Sequence, residues 1–378
     1  MQKRSEQIAK YKVAIVHDWL VVNGGAEKVL RAIIDLYPDA DIFSLVDFLD
    51  DKDRGDIVCG KYAKTTFIQS LPFAKKHFRK YLPLFPKAIE SFDLSEYDLV
   101  ISSSWAVAKG VKKNKNQIHI SYYQARNMKY IWEEEDLYFT GVKKFIKPFV
   151  INYLRKFDLQ SSQNANYIIS NSYFVQQWVK EKYNRESTVI SPPVDTKNFA
   201  LYKQKENYYI SAARFVPYKK MKLIVEAFNE MPNRKLILIG DGDEYEDIKA
   251  IAKPNIQILG FKNSKELVPY MQKSKAFVYA AIEDFGIVPI EAMSCGTPVI
   301  ALNDGGTAET VIDGVNGIHF EHQTKEEIIK AVMRFETMSF EASSVSKSVK
   351  SYSTTRFKNE IKEFVDSKLF GRFYNIQI

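Results

Sequence analysis

Glu283 and Glu291 stand in an E-x7-E spacing around Gly286, within the stretch EDFGIVPIE. An ionised carboxylate only accepts hydrogen bonds, and it takes hydroxyl groups with charge assistance. PIEAMSCG reads as a helix with Pro289 in its first turn. The amides of Gly286, Ile287 and Val288 would then lie at a helix start, where an anion is the expected guest. A diphosphate between two sugars satisfies both demands, with one glutamate for each sugar. The plainer alternative has Glu291 complementing the helix dipole and Glu283 solvated. Arg214 and Lys219, five residues apart, supply a planar fork and a point charge that suit a diphosphate, or else ordinary surface charge. Gly24 and Gly25 sit between an apolar run and a helical pattern, as a tight turn or as a second phosphate contact. Asp241 and Asp243 have a D-x-D spacing that can hold a metal, but Gly240 and Gly242 make the segment a strand-ending turn, and no metal is expected.

These residues need a scaffold that brings strand ends together. Short apolar runs such as KVAIVHDWL, DLVISSS, IHISYY and YIISNS alternate with helical patterns such as AEKVLRAIIDLY and YFVQQWVKEKY. That alternation predicts an α/β fold of parallel strands covered by helices. The proline pair Pro192 and Pro193 opens a polar stretch, after which the pattern restarts with YYISAARF, KLILIGDGDE, IQILGF and AFVYAA. Two domains are expected, at 1–193 and 207–350, joined by a linker at 194–206. An amphipathic helix at 351–378 would pack back on the first domain. At 378 residues the chain is long enough for two cores.

The long stretch EDFGIVPIEAMSCGTPVIALNDGGTAETV closely resembles the donor-binding signature of retaining glycosyltransferases of family four, near the bacterial polysaccharide mannosyltransferases. The resemblance implies the GT-B architecture: two facing Rossmann-like domains with a cleft between them. It implies Glu283, Arg214 and Lys219 as catalytic residues. Gly24, Gly25, Gly240, Leu259, Phe261, Phe285, Gly286, Ile287, Val288 and Glu291 would bind the donor. Asp18, Lys109, Gln124 and Arg126 would meet the acceptor or the donor sugar. Two departures stand out. Lys220 occupies a position usually held by glycine, and Gln124 stands where related enzymes have a histidine. Glutamine accepts or donates a hydrogen bond but cannot exchange a proton near neutral pH. His119, inside a strand, reads as a core histidine. The implied reaction moves a hexose, mannose from GDP-mannose ahead of a UDP-sugar, to a lipid-linked glycan without metal or cofactor. A nucleotide-sugar epimerase is the rival reading.

A formal charge of +8 favours anionic partners. The excess lies in KTTFIQSLPFAKKHFRKYLPLFPKAIESF and GVKKFIKPFVINYLRKF, where Lys64, Lys75, Lys76, Arg79, Lys80, Lys87, Lys143, Lys144, Lys147, Arg155 and Lys156 alternate with aromatic residues. That pattern predicts peripheral attachment to an anionic membrane surface rather than nucleic-acid binding. The two cysteines, Cys59 and Cys295, lie far apart and suggest no disulfide or zinc framework. A cytoplasmic protein at the inner membrane face is expected, with no signal peptide and no spanning segment.

Overall fold

Strands buried on both faces must be apolar along their whole length, which is how VAIVH, LVISSS, LILI and AFVY read. The computed structural model describes residues 11–133 and 147–374, with side chains to Leu369. Lys143 and Lys144 lie outside the described residues. The chain divides into two units, one of residues 1–191 and 357–378, the other of 192–356.

The first unit holds β1 (Val13–His17), β2 (Asp41–Ser44), β3 (Lys64–Thr65), β4 (Leu99–Ser104), β5 (Ile118–Tyr123), β6 (Tyr167–Ser170) and β7 (Thr188–Val189). Among the described residues they form one sheet in the order β3-β2-β1-β4-β5-β6-β7, and every pair is parallel. Helices cover both faces. Helix Gly25–Ile34 packs Val29, Leu30 and Ile33 into one core, where the helix Thr354–Tyr374 also sets Phe357, Ile361, Val365 and Leu369. Those four residues recur every fourth position, the spacing of one helical stripe.

The second unit holds β8 (Tyr209–Ala212), β9 (Leu236–Ile239), β10 (Ile256–Ile258), β11 (Ala276–Tyr279), β12 (Val299–Leu302) and β13 (Gly317–Phe320). They make a parallel sheet in the order β10-β9-β8-β11-β12-β13. Residues 194–206 contain no strand or helix, and Lys205 sends its ammonium to Gln272 O, Cys295 O and Thr297 Oγ1 of this unit.

Both sheets wind outward in two directions from a central pair, β1 with β4 and β8 with β11. In open parallel sheets the crevice at that reversal, beyond the carboxyl ends of the strands, is where ligands bind. The residues that follow β1, β4, β8 and β11 therefore flank that crevice in each unit.

Candidate functional site

In the second unit the turn after β8 carries Arg214, Tyr218 and Lys219, and the loop after β11 carries Glu283. Lys219 donates to Glu283 Oε1 and stands 3.4 Å from the hydroxyl of Tyr279, the last residue of β11. Both members of the pair keep part of their surface. Burial alone would lower the Lys219 pKa, but Tyr279, Glu283 and Tyr218 outweigh it and hold the ammonium above its ordinary value. Burial, with the charge of Glu283 added, pushes the Tyr279 hydroxyl up, so it stays protonated. Arg214 is exposed and donates to Tyr218 Oη at 2.5 Å.

The Glu283 loop leads into helix Ile287–Ser294, which starts two residues before Pro289. Its cap, Gly286, has φ +90°, a left-handed conformation that favours glycine. The first-turn amides of Ile287 and Val288 have no acceptor within the helix, and Pro289 contributes none. A second glycine turn supports the loop from beneath. Gly306 N–H donates to Glu283 O at 2.7 Å, and a Cβ on Gly306 would come within 2.4 Å of Phe285 Cα. Phe285 is buried edge-on against Tyr352, 5.6 Å between ring centres. Glu291 is 4% exposed and sits in the second turn of the helix.

Gly240 follows β9 at φ +150°, where a Cβ would strike Ala213 O at 1.8 Å, so glycine lets this turn close on the residue before Arg214. Leu259 is half-buried, and Phe261 is 74% exposed beside Gly260. Asp241 spends an oxygen on the Gly242 amide at 2.8 Å. Among the described residues no group of three or more His, Cys, Asp or Glu gathers as a metal site would. Lys220, the departure from glycine, has φ +57°, so the turn does require the left-handed region and a lysine occupies it.

In the first unit several expected ligands prove structural. Asp18 is fully buried and accepts from the amides of Trp105, Ala106, Val107 and Ala108 at 2.6 to 2.9 Å. Its carboxylate closes the turn after β4 and has no face left for a sugar. Lys109 neither enters a crevice nor caps a helix: it is fully buried with its ammonium 2.5 Å from Asp158 Oδ1. Asp158 also accepts from Trp132 Nε1 and Tyr183 Oη, so this charge pair is a satisfied core hub. Gly24 spends its amide on Glu27 Oε2 at 3.0 Å, which removes it as a phosphate donor; Gly25 is the first helical residue beyond it. Arg126 pairs with Glu133 at 2.5 Å and lies over Phe174, engaged within the unit. Gln124 keeps partial exposure and donates to Ser103 Oγ and Ala26 O. His119 is a buried β5 residue with Nε2 2.7 Å from Ser102 Oγ, and burial depresses it to about 3.

The sequence reading missed Tyr279, Tyr218 and the Gly305–Gly306 turn. Tyr279 offered one signal, a polar tip ending an apolar strand four residues before Glu283. The glycine pair gave none of its own, since what it touches is distant in sequence.

The chain aligns over 94% of its length with all of the Anabaena HepE structure solved in complex with UDP and glucose, at 19% identity and a TM-score of 0.69. The fold is GT-B. Residues 195–352 match the family Glycosyl transferases group 1. That match spans nearly the whole second unit, including Arg214, Lys219, Glu283 and Glu291. An uncharacterized glycosyltransferase of Methanocaldococcus jannaschii is 31% identical over 188 residues, 47% of this chain and 53% of that protein. The O-antigen chain mannosyltransferase RfbU of Salmonella typhimurium is 28% identical over 41% of this chain and 46% of its own length. The chain thus spans about half the length of these relatives. No comparison supports an epimerase.

Proposed function

We propose that the protein is a retaining, metal-independent glycosyltransferase that moves a hexose from a nucleotide diphosphate sugar to a hydroxyl of a lipid-linked glycan. The observation that carries this reading is the Lys219–Glu283–Tyr279 cluster beside the start of helix Ile287–Ser294, inside the segment that matches the group 1 family. Cations and unspent amides gather where a diphosphate would sit, and a carboxylate stands where a sugar hydroxyl would.

Arg214, Lys219 and the helix-start amides stabilise negative charge as the bond from the sugar's anomeric carbon to the diphosphate oxygen breaks. Glu283 holds the sugar, and Glu291 serves the ribose. The acceptor oxygen forms its bond on the face the diphosphate leaves, and its proton passes to a diphosphate oxygen. This scheme needs no protein base, in keeping with glutamine at 124. Mannose from GDP-mannose is the preferred donor, supported by the likeness to a mannosyltransferase. A UDP-sugar is the second reading, favoured by the likeness to a protein solved with UDP and glucose. No cofactor and no nucleic acid take part in either reading.

The acceptor would be met at an anionic membrane surface, as in O-antigen or other surface polysaccharide synthesis. Phe73 is 80% exposed and Phe149 nearly as much, and Lys75, Lys76, Arg79, Lys80 and Lys156 are also exposed. Phe78 and Phe85, part of the same sequence run, are core residues instead. No helix among the described residues is long and apolar enough to cross a membrane. Attachment would be peripheral, at the inner face of the cytoplasmic membrane.

A thermal-shift panel of GDP-mannose, UDP-glucose and related donors tests the reading, followed by product analysis. Free nucleoside diphosphate with an α-linked glycoside supports it; activity abolished by EDTA, or a protein that binds no donor of the panel, sinks it. Indifference to anionic vesicles at low salt would overturn the membrane part alone.

A further inference from the structure

Beneath the Gly24 turn four polar side chains form a chain that the proposed chemistry does not use. His17 and Ser103 are register partners at the ends of β1 and β4, where the strand order reverses. Ser103 Oγ lies 3.1 Å from His17 Nδ1, and His17 Nε2 lies 3.6 Å from Glu27 Oε1. Glu27 Oε2 accepts the Gly24 amide. At the other end Gln124 Nε2 donates to Ser103 Oγ at 2.8 Å and to Ala26 O at 3.2 Å. The Gln124 backbone is held too, by Ser104 O at 2.8 Å and by Asn171 Nδ2 at 2.6 Å. His17, Ser103 and Glu27 are buried, and Gln124 alone among the four keeps partial exposure.

The direction of the Gln124 hydrogen bonds follows from the Ala26 carbonyl, which only accepts, so Gln124 meets it with its amide nitrogen. Ser103 Oγ accepts the second amide hydrogen beside its contact with His17 Nδ1. Both amide hydrogens are thereby spent, and the side-chain carbonyl is what Gln124 has left for a ligand.

We propose that Glu27, His17 and Ser103 are positioning residues that hold the Gln124 amide with its carbonyl presented outward, so that this unit receives a ligand hydroxyl that donates. The same carboxylate fixes the Gly24 turn, so the turn and the Gln124 carbonyl are set together. The inference rests on the glycosyltransferase reading, and the hydroxyl belongs to the sugar of the donor or of the acceptor.

The full chain is titrated with the nucleotide sugar that stabilises it most and with the bare nucleoside diphosphate of the same base; turnover is measured on p-nitrophenyl glycosides as acceptors. If the donor supplies the hydroxyl, Gln124→Ala and Ser103→Ala weaken the nucleotide sugar by about tenfold, the loss of one hydrogen bond, and leave the diphosphate unchanged. If the acceptor supplies it, donor affinity stays and the acceptor KM rises by a similar factor at constant kcat. Gln124→Glu, which cannot donate to Ala26 O, behaves like the alanine variant. Ser103→Thr, which keeps the hydroxyl, restores the parental values. Variants that melt like the parent and match it in both affinities and in KM overturn the proposal alone. A parent chain that binds no nucleotide sugar sinks the glycosyltransferase reading, and this inference with it.

Discussion

Lys219, in the turn after β8, donates to the carboxylate of Glu283 in the loop after β11, so the cation and the anion of the candidate site neutralise each other before any ligand arrives. On the proposed function a diphosphate would take the ammonium from Glu283, and that exchange would free the carboxylate for a sugar hydroxyl. Glu283→Ala should therefore lower kcat by about 10²- to 10³-fold, the scale of losing one preorganised electrostatic contact. The same variant should bind the bare diphosphate at least as tightly as the parent, because Lys219 no longer has a competing partner. Lys219→Ala should weaken the diphosphate. Calorimetry beside steady-state turnover separates these outcomes, and weaker diphosphate binding by Glu283→Ala would contradict the exchange.

Lys220 holds φ +57° at the cap of helix Met221–Asn229. A side chain there costs roughly 1 kcal/mol, and glycine relieves it while adding freedom to the unfolded chain. Lys220→Gly should fall between neutral and about 1 kcal/mol more stable in thermal or denaturant unfolding. A clear loss of stability would mean that the lysine side chain makes a compensating contact.

Lys109 is buried against Asp158 with Trp132 and Tyr183 completing the carboxylate's partners. Removing the ammonium leaves a buried carboxylate uncompensated, so Lys109→Ala should cost about 3–5 kcal/mol in stability. Under conditions where the variant remains folded, donor affinity should match the parent. A catalytic defect without a stability defect would return Lys109 to the ligand site.

His119 is fully buried and burial depresses its pKa to about 3, against an ordinary value near 6.5. Between these two pH values the unfolded chain takes up a proton that the folded chain refuses. Stability is therefore complete above pH 6.5 and declines as pH falls toward 3, by about 2 kcal/mol at pH 5 from this residue. Urea unfolding at pH 7 and pH 5 should show that decline, and His119→Gln should reduce it. An equal decline in both proteins would assign it to other groups.

Much of the architecture was legible because parallel strands buried on two faces leave unbroken apolar runs, and helices between them leave a 3.6-residue period. The Glu283 loop was legible for a different reason. Its glycine, carboxylates and helix start lie within nine residues, Glu283 to Glu291, so their geometry is local. The first-unit site was not. Asp18 and Lys109 looked available because nothing in their own neighbourhoods names a partner, yet those partners are 87 and 49 residues away, at Trp105 and Asp158. Phe78 and Phe85 likewise read as members of a basic aromatic surface until helix packing turned them into the core.

By itself the sequence determined the α/β alternation, the two-unit division and the grouping of a glycine, two carboxylates and a helix start in the Glu283 loop, because each depends on residues close together in the chain. Tertiary structure decided which polar groups remain available: it spent Asp18 on four backbone amides, matched Lys109 to Asp158, tied Gly24 to Glu27 and joined Lys219 to Glu283. A charge or amide is free for a ligand only after the fold has satisfied its own buried hydrogen bonds, and those partners are chosen by strand order rather than by sequence neighbourhood.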